Sequence, residues 1–298
     1  MRYTKPPLNF KQQAELLISR GLMADEKEIE SFLRRVNYYR FTGYLYPFRL
    51  EGSDIYQPGT TFEQVRNIYL FDKELRLLTF SAIEEIEISL LRTQMVEKFA
   101  LANGAFCYTD RNNFHHSLSS NYHQSMLEKI QHNIDRSNEE FIGIYRTKYT
   151  SETQFPIWMA AEAITFGQLS IIFSYLPKNI QVPMAKQLNL HSRGLVSWLH
   201  TLTSIRNICA HHARLWNRVL PIKPTIPSIR YHPEFHTPEK IKNDSYFVIL
   251  AILKYLMENL SSGNKLIADF SELLSRFPCV PLYRMGFPDN WQDYAIFQ

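Results

Sequence analysis

From Val65 to Leu90 the apolar residues recur every three or four positions: Val65, Ile68 and Tyr69, Leu75, Leu78, Ala82, Ile86 and Leu90. That period aligns them along one side of an α-helix. Glu84, Glu85, Glu87 and Arg92 lie elsewhere around the cylinder. The run opens on Thr61-Phe62-Glu63-Gln64. Gln64 stands three residues after a capping Thr, the spacing of a capping box. A long helix is therefore predicted from there to about Phe99. A one-sided helix of this length must bury its stripe against other elements, and the rest of the chain supplies helices rather than strands.

Asn9 is placed to cap a first helix carrying Ala14, Leu16, Leu17 and Leu22, and Asp25 a second carrying Ile29, Phe32, Leu33 and Val36. An amphipathic segment runs through Met126, Leu127, Ile130 and Ile134 toward Phe141 and Tyr145. Pro156 suits the first turn of a helix with Trp158, Ala161, Ile164, Leu169, Ile172 and Phe173. Ser192 is the expected cap of the next, followed to Val219 before Pro221, and two more are predicted at about 244–260 and 264–276. Residues 51–60, 103–120 and the five-proline stretch 221–242 read as loops. Only ten glycines occur, and no segment alternates as a strand does. The expected fold is all-α, an antiparallel helical bundle. Residues 1–60 form an amino-terminal helical segment and residues 61–298 the main helical domain, packed as one globule.

Several function classes drop out. The glycines never form a dinucleotide or phosphate-loop fingerprint, and there is no Gly-x-Ser-x-Gly elbow. Cys107, Cys209 and Cys279 are too scattered for a disulfide framework or paired zinc spacing, which fits a reducing cytoplasm. His115, His116 and His123 cluster without a metal-ligand spacing and read as a solvated loop. No metal and no cofactor are expected. Met1 leads into Arg2, Lys5 and prolines rather than a signal core. The longest apolar run, Tyr246 to Leu253, is too short to span a bilayer. A net charge of +4 permits a nucleic-acid partner without demanding one. The 17 tyrosines and 20 phenylalanines argue first for dense packing and second for some base-stacking surface.

The chemistry concentrates in Ser204-Ile205-Arg206-Asn207-Ile208-Cys209-Ala210-His211-His212-Ala213-Arg214-Leu215-Trp216-Asn217-Arg218. Carried through as one helix, this stretch gathers Leu202, Ile205, Cys209, His212 and Trp216 on one side. Thr203, Asn207, His211, Arg214 and Arg218 form an opposite stripe, within about 40° of Asn207 at 100° per residue. Arg206 sits on the border. His212 should then pack against the bundle while His211 projects. Guanidinium forks match phosphate oxygens, and histidine moves protons near neutral pH. The same face would also serve as an ordinary solvated helix surface.

Arg206-x-x-x-x-His211, with Asn207 after the arginine, resembles the signature of the HEPN superfamily of helical ribonucleases. The whole chain resembles the Abi-like (AbiD/AbiF) family of abortive-infection phage-resistance proteins. The matching pieces are Lys5-Pro6-Pro7-Leu8, Asn37-Tyr38-Tyr39-Arg40 with Gly43-Tyr44, and Tyr69-x-x-Asp72-x-x-Leu75-Arg76. Further on come Ile83-Glu84-x-Ile86-Glu87, Pro156-Ile157-Trp158, Phe166-Gly167, Arg206-Asn207-x-x-Ala210-His211 and Gly286-Phe287-Pro288-x-x-Trp291.

The resemblance implies a HEPN-like bundle with an added amino-terminal helical segment, a role in phage defence or a toxin–antitoxin pair, and an RNA partner, in some members a small structured RNA. It also implies sites that act in pairs, hence a homodimer. On this reading the chain is a metal-independent endoribonuclease. His211 transfers protons, Arg206 binds phosphate and Asn207 orients one of them, with RNA contacts from Thr203, Arg214 and Arg218. The alternatives are a non-cleaving RNA-binding module, a structural helical adaptor, or the regulatory half of a toxin–antitoxin pair.

Overall fold

The computed structural model describes residues 2, 4, 6–260 and 265–298. Met1, Lys5 of the amino-terminal motif and residue 264, the expected start of the last helix, lie outside the described residues. Among those described the fold is all-α. The backbone bridges Met23 with Thr61 and Arg49 with Tyr56 extend into no strand.

The helices are α1 (Phe10–Ser19), α2 (Glu26–Leu33), α3 (Tyr38–Leu45), α4 (Phe62–Ile86), α5 (Val96–Asn103), α6 (Ser120–Arg136), α7 (Glu140–Lys148), α8 (Ile157–Ala163), α9 (Phe166–Tyr175), α10 (Lys178–Gln187), α11 (Ser192–Ala210), α12 (Tyr246–Leu260) and α13 (Leu266–Arg276). Asn9 caps α1 in a full capping box with Gln12, and Asp25 accepts from the Glu28 amide to cap α2. Thr61 caps α4 by accepting from the Gln64 amide. From α4 the chain runs on without a break through a π-helical stretch, Glu87–Met95, into α5. The wider turn sets Glu87 and Arg92, five residues apart, face to face, so they pair. Arg92 then donates to the carbonyls of Ala161 and Ile164, which α8 leaves open at its end.

Two expected helix boundaries fail for local reasons, and one helix had not been expected at all. The single helix expected after Pro156 is two: Thr165 restarts the chain with a capping box to Gln168, so α8 and α9 are separate. Lys178–Gln187 forms α10, which apolar spacing did not announce because Pro183 interrupts it. The cap of α11 is His191, whose ring accepts from the Arg193 amide, not Ser192.

α4 is the central column. It packs against α3, α11, α12 and α13. α12 is buried on every side from Tyr246 to Met257, apolar throughout that span except Lys254, whose ammonium pairs with Glu258. Its Tyr246 hydroxyl meets Thr79 of α4 at 2.8 Å. The amino-terminal segment is tied to this column by the Tyr44 hydroxyl on Asp72 and to the carboxy-terminal tail by Arg284 on the Pro47 carbonyl. Among the described residues no helix is long and apolar enough to cross a membrane.

Candidate active site

α11 ends at Ala210, nine residues before the predicted end at Val219. The Ala213 amide donates to the Ile208 carbonyl (2.9 Å) and the His212 amide to Cys209 (3.0 Å), with His212 at φ 55°. This is a Schellman closure with histidine in the left-handed position where glycine is usual. His212 is therefore exposed, not packed against the bundle as the helical wheel placed it. The alignment of Arg214 and Arg218 with Asn207 and His211 lapses for the same reason, since the helix that would carry it stops first.

A buried carboxylate dictates that stop. Asp72 of α4 is fully buried and accepts from the amides of Leu215 (3.1 Å) and Trp216 (2.6 Å), from the Tyr44 hydroxyl (2.5 Å) and from Arg76. Two amides that a longer α11 would spend on its own carbonyls go instead to Asp72. Burial pushes this carboxyl above its ordinary range, opposed by the Arg76 guanidinium, the Tyr44 hydroxyl and the two amides. Trp216 is sealed behind them and stacks with Tyr44 at 6.5 Å. Two more arginines hold the segment from outside. Arg40 of α3 donates to the His212 carbonyl, and Arg214 donates back to the Gly43 carbonyl at 2.5 Å. Arg218 donates to the Arg214 carbonyl at 2.6 Å, and both are part-buried. Burial pulls the Arg214 guanidinium down from its ordinary value.

The remaining expected residues lie along the last turns of α11 and at its cap. Asn207 and His211 are exposed, with the His211 amide closing onto the Asn207 carbonyl at 3.0 Å. Arg206 is half-buried, and its guanidinium lies over the Phe80 ring of α4, 5.3 Å from the centroid. Its buried Nε has no hydrogen-bond partner, and among the described residues no carboxylate pairs with it. Arg76 and Arg92, by contrast, are each neutralised by an acid. Thr203 turns its hydroxyl inward to the Leu199 carbonyl, and its methyl faces Gly167 of α9. Phe80 had no place in the sequence reading. Its role depends on a contact between positions 126 apart, for which a single sequence carries no signal.

Three of the motifs scattered along the sequence thus meet around one helix end. Arg40, Gly43 and Tyr44 come from α3, Asp72 and Arg76 from α4, and Arg206 to His211 from α11. The Abi-like protein family matches residues 31–217, well over half the chain and all of these positions. The chain belongs to the Abi-like family. No curated protein and no solved structure matches it. The matched span ends at Asn217, just past the segment that Asp72 holds, so the family's core includes this helix end and the residues that shape it. His115, His116 and His123 make no metal-holding group; among the described residues no cluster of three or more His, Cys, Asp or Glu is placed to do so.

Proposed function

We propose that this Abi-like chain is a metal-independent endoribonuclease of a bacterial abortive-infection or toxin–antitoxin system, acting through Arg206, Asn207 and His211. The observation that carries the reading is Arg206, a guanidinium without an acid partner that lies over the Phe80 ring, on the same helix end as an exposed amide and an exposed imidazole. An arginine without an acid, oriented by an aromatic ring, is poised for an external anion. A phosphodiester supplies one. The spacing of Arg206 and His211 also resembles the HEPN signature.

In the reaction the ribose 2′-OH attacks the adjacent phosphorus. His211 removes its proton, the bond from phosphorus to the 5′-oxygen breaks, and that oxygen takes up a proton as it leaves. Arg206 balances the charge that grows on the phosphoryl oxygens, and Asn207 orients the phosphate or the ring. Positioned proton transfer contributes about 10²–10⁴-fold, and the arginine adds an electrostatic stabilisation that strengthens in the transition state. Products carry a 2′,3′-cyclic phosphate and a 5′-OH. RNA contacts from Thr203, Arg214 and Arg218 remain part of the proposal, although each of the three is bonded to a backbone carbonyl in the free chain. One imidazole cannot conveniently serve as both base and acid on an open surface, so a second copy of the chain is proposed to face the first across a two-fold axis and bring its own His211.

The test is purified protein with RNA in EDTA, wild type against His211→Ala. The expected result is cleavage that survives EDTA and falls by about 100-fold or more in the variant. Cleavage that EDTA abolishes and Mg²⁺ restores, or full activity in His211→Ala, overturns the reading. RNA binding without cleavage in the wild type would favour the non-catalytic alternative.

A further inference from the structure

At the far end of α11 from His211 lies a cavity of about 1050 Å³. It sits between the end of α10, the first turn of α11, the loop through residues 225–234 and α12. Nineteen helical residues separate the two ends, about 28 Å at 1.5 Å per residue. The cavity is not part of the Arg206–His211 site.

Its lining combines three kinds of group. Lys186 and Arg193 are exposed at its rim, and among the described residues neither has a carboxylate partner. Tyr231, 70% exposed, shares the lining with Ile226 and Pro227 and carries the Arg230 guanidinium 5.4 Å from its ring centroid. Deeper in, His232 is only 6% exposed. Its Nδ1 lies 2.9 Å from the Glu234 carboxylate, and its ring meets the edge of Tyr255 at 5.6 Å. Glu234 therefore accepts the Nδ1 proton and fixes the ring, while Nε2 has no hydrogen-bond partner among the described residues. A nine-tenths buried imidazole in the lining, oriented by a carboxylate and with its second nitrogen unpaired by the chain, is free to accept from an occupant. Glu234 is the one acid of the lining, and it is committed to His232.

An occupant must offer an anion to Lys186 and Arg193, a flat apolar face to Tyr231, Ile226 and Pro227, and a hydroxyl or amine to Nε2. We propose that this cavity is a nucleotide-binding site, taking a free mononucleotide or the terminal nucleotide of an RNA strand. Phosphate meets the two cations, the base lies against Tyr231, and a ribose hydroxyl or base amine donates to His232. The volume is ample for one nucleotide. The proposal does not depend on RNA cleavage at the other end of α11.

Calorimetric titration of the full chain with adenosine 5′-monophosphate, adenosine, inorganic phosphate and a 5′-phosphorylated RNA hexamer tests it. The monophosphate should bind one per chain, with adenosine and phosphate each weaker by about tenfold or more. Lys186→Glu with Arg193→Glu, and separately Tyr231→Ala, should each weaken it by about tenfold. All three residues are exposed, so these variants keep the fold. Tyr231→Ala changes no charge and separates base recognition from general attraction of anions. His211→Ala should bind the monophosphate as the wild type does, whether or not the chain cleaves RNA. A hexamer that the monophosphate displaces, and that Tyr231→Ala releases, identifies an RNA end as the occupant. Binding of the monophosphate alone identifies a free nucleotide. No binding of either at millimolar concentration, binding unchanged in both variants, or phosphate binding as tightly as the nucleotide overturns the proposal.

Discussion

Replacing Asp72 by alanine should cost this protein more than almost any other single truncation of its polar groups. The side chain has no exposure and takes four donors: two backbone amides, a tyrosine hydroxyl and a guanidinium. Removing it leaves Arg76 charged in a site where that residue is only 6% exposed. Breaking a buried ion pair from one side costs about 3–5 kcal/mol. The Leu215 and Trp216 amides lose their acceptor as well, and orphaned buried donors cost about 1–3 kcal/mol each before relaxation. The expected loss is therefore near the top of the 3–5 range, about 5 kcal/mol, because partial rearrangement and water entry offset some of the sum. In urea, with a slope of about 3 kcal/mol per molar for a chain of this size, the midpoint should fall by roughly 1.5 M. Trp216 lies directly against the vacated site and makes its fluorescence a suitable probe. Asp72→Leu combined with Arg76→Leu should be more stable than Asp72→Ala, since it removes the stranded charge along with its partner. A midpoint for Asp72→Ala that corresponds to a loss of less than about 1 kcal/mol would refute the claim that this carboxylate holds the chain after α11.

Four further outcomes are expected. His212→Gly should stabilise the fold by up to about 1 kcal/mol and His212→Val destabilise it by about 1–2, because φ 55° is strained for a branched side chain; equal melting temperatures for the two would contradict the left-handed closure. Phe80→Ala should lower kcat/KM for RNA by about two- to fivefold, as loss of a ring worth about 0.5–1 kcal/mol to Arg206 implies, and unchanged kinetics would remove Phe80 from the site. Gly286→Ala should lower stability by about 1–3 kcal/mol in thermal melts, since its new Cβ would fall 1.8 Å from the Ser245 hydroxyl oxygen at a φ of 82°; a neutral result would mean that the tail can shift freely. Burial pushes the thiols of Cys107 and Cys209 up to about 12, so at pH 8 both stay protonated and enclosed while Cys279 is exposed; a thiol-reactive dye should titrate one group quickly in the folded chain and three after denaturation, and two fast groups would refute the burial.

The helical character was legible because it rests on local repetition. The stripe from Val65 to Leu90 and the caps at Asn9, Asp25 and Thr61 each depend on residues within a few positions of one another. The end of α11 was not legible. Its sequence continues a plausible helix through Arg214 and Arg218, and what ends it is a carboxylate 143 positions upstream. That one long-range contact moved His212 from the core to the surface and took Arg214 off the helical stripe. The shift from α8 to α9 had a local signal in Thr165 and Gln168, hidden by apolar residues that kept the helical period across the break. The family motifs include Arg40, Gly43, Asp72 and Arg76 without relating them to one another, and only the fold brings them together and gives each a task. Even then Gly43 is used for its carbonyl alone, because a Cβ there would meet nothing within 4 Å.

Around this helix end the labour divides by burial. Asp72, Arg76 and Tyr44 are enclosed and spend their side-chain polar groups on one another or on the backbone that follows His211, while Trp216 is enclosed with them and bonds Asp72 through its amide. Asn207 and His211 are exposed and spend only backbone groups on the fold. Arg206 lies between, its flat face used by Phe80 while its guanidinium meets no acid. Changes in the first group should therefore lower stability and the order of the segment after Ala210 together. Changes at Asn207 or His211 should leave stability nearly untouched, because a solvent-facing side chain with no partner has little to lose. A helix that simply ran on to Val219 would set His211 among neighbours on a continuous surface. Ending it at Ala210 makes His211 the cap of the helix, from which the chain turns into the Asp72 clamp. The buried acid thus fixes where the helix beneath His211 ends, without touching the histidine itself.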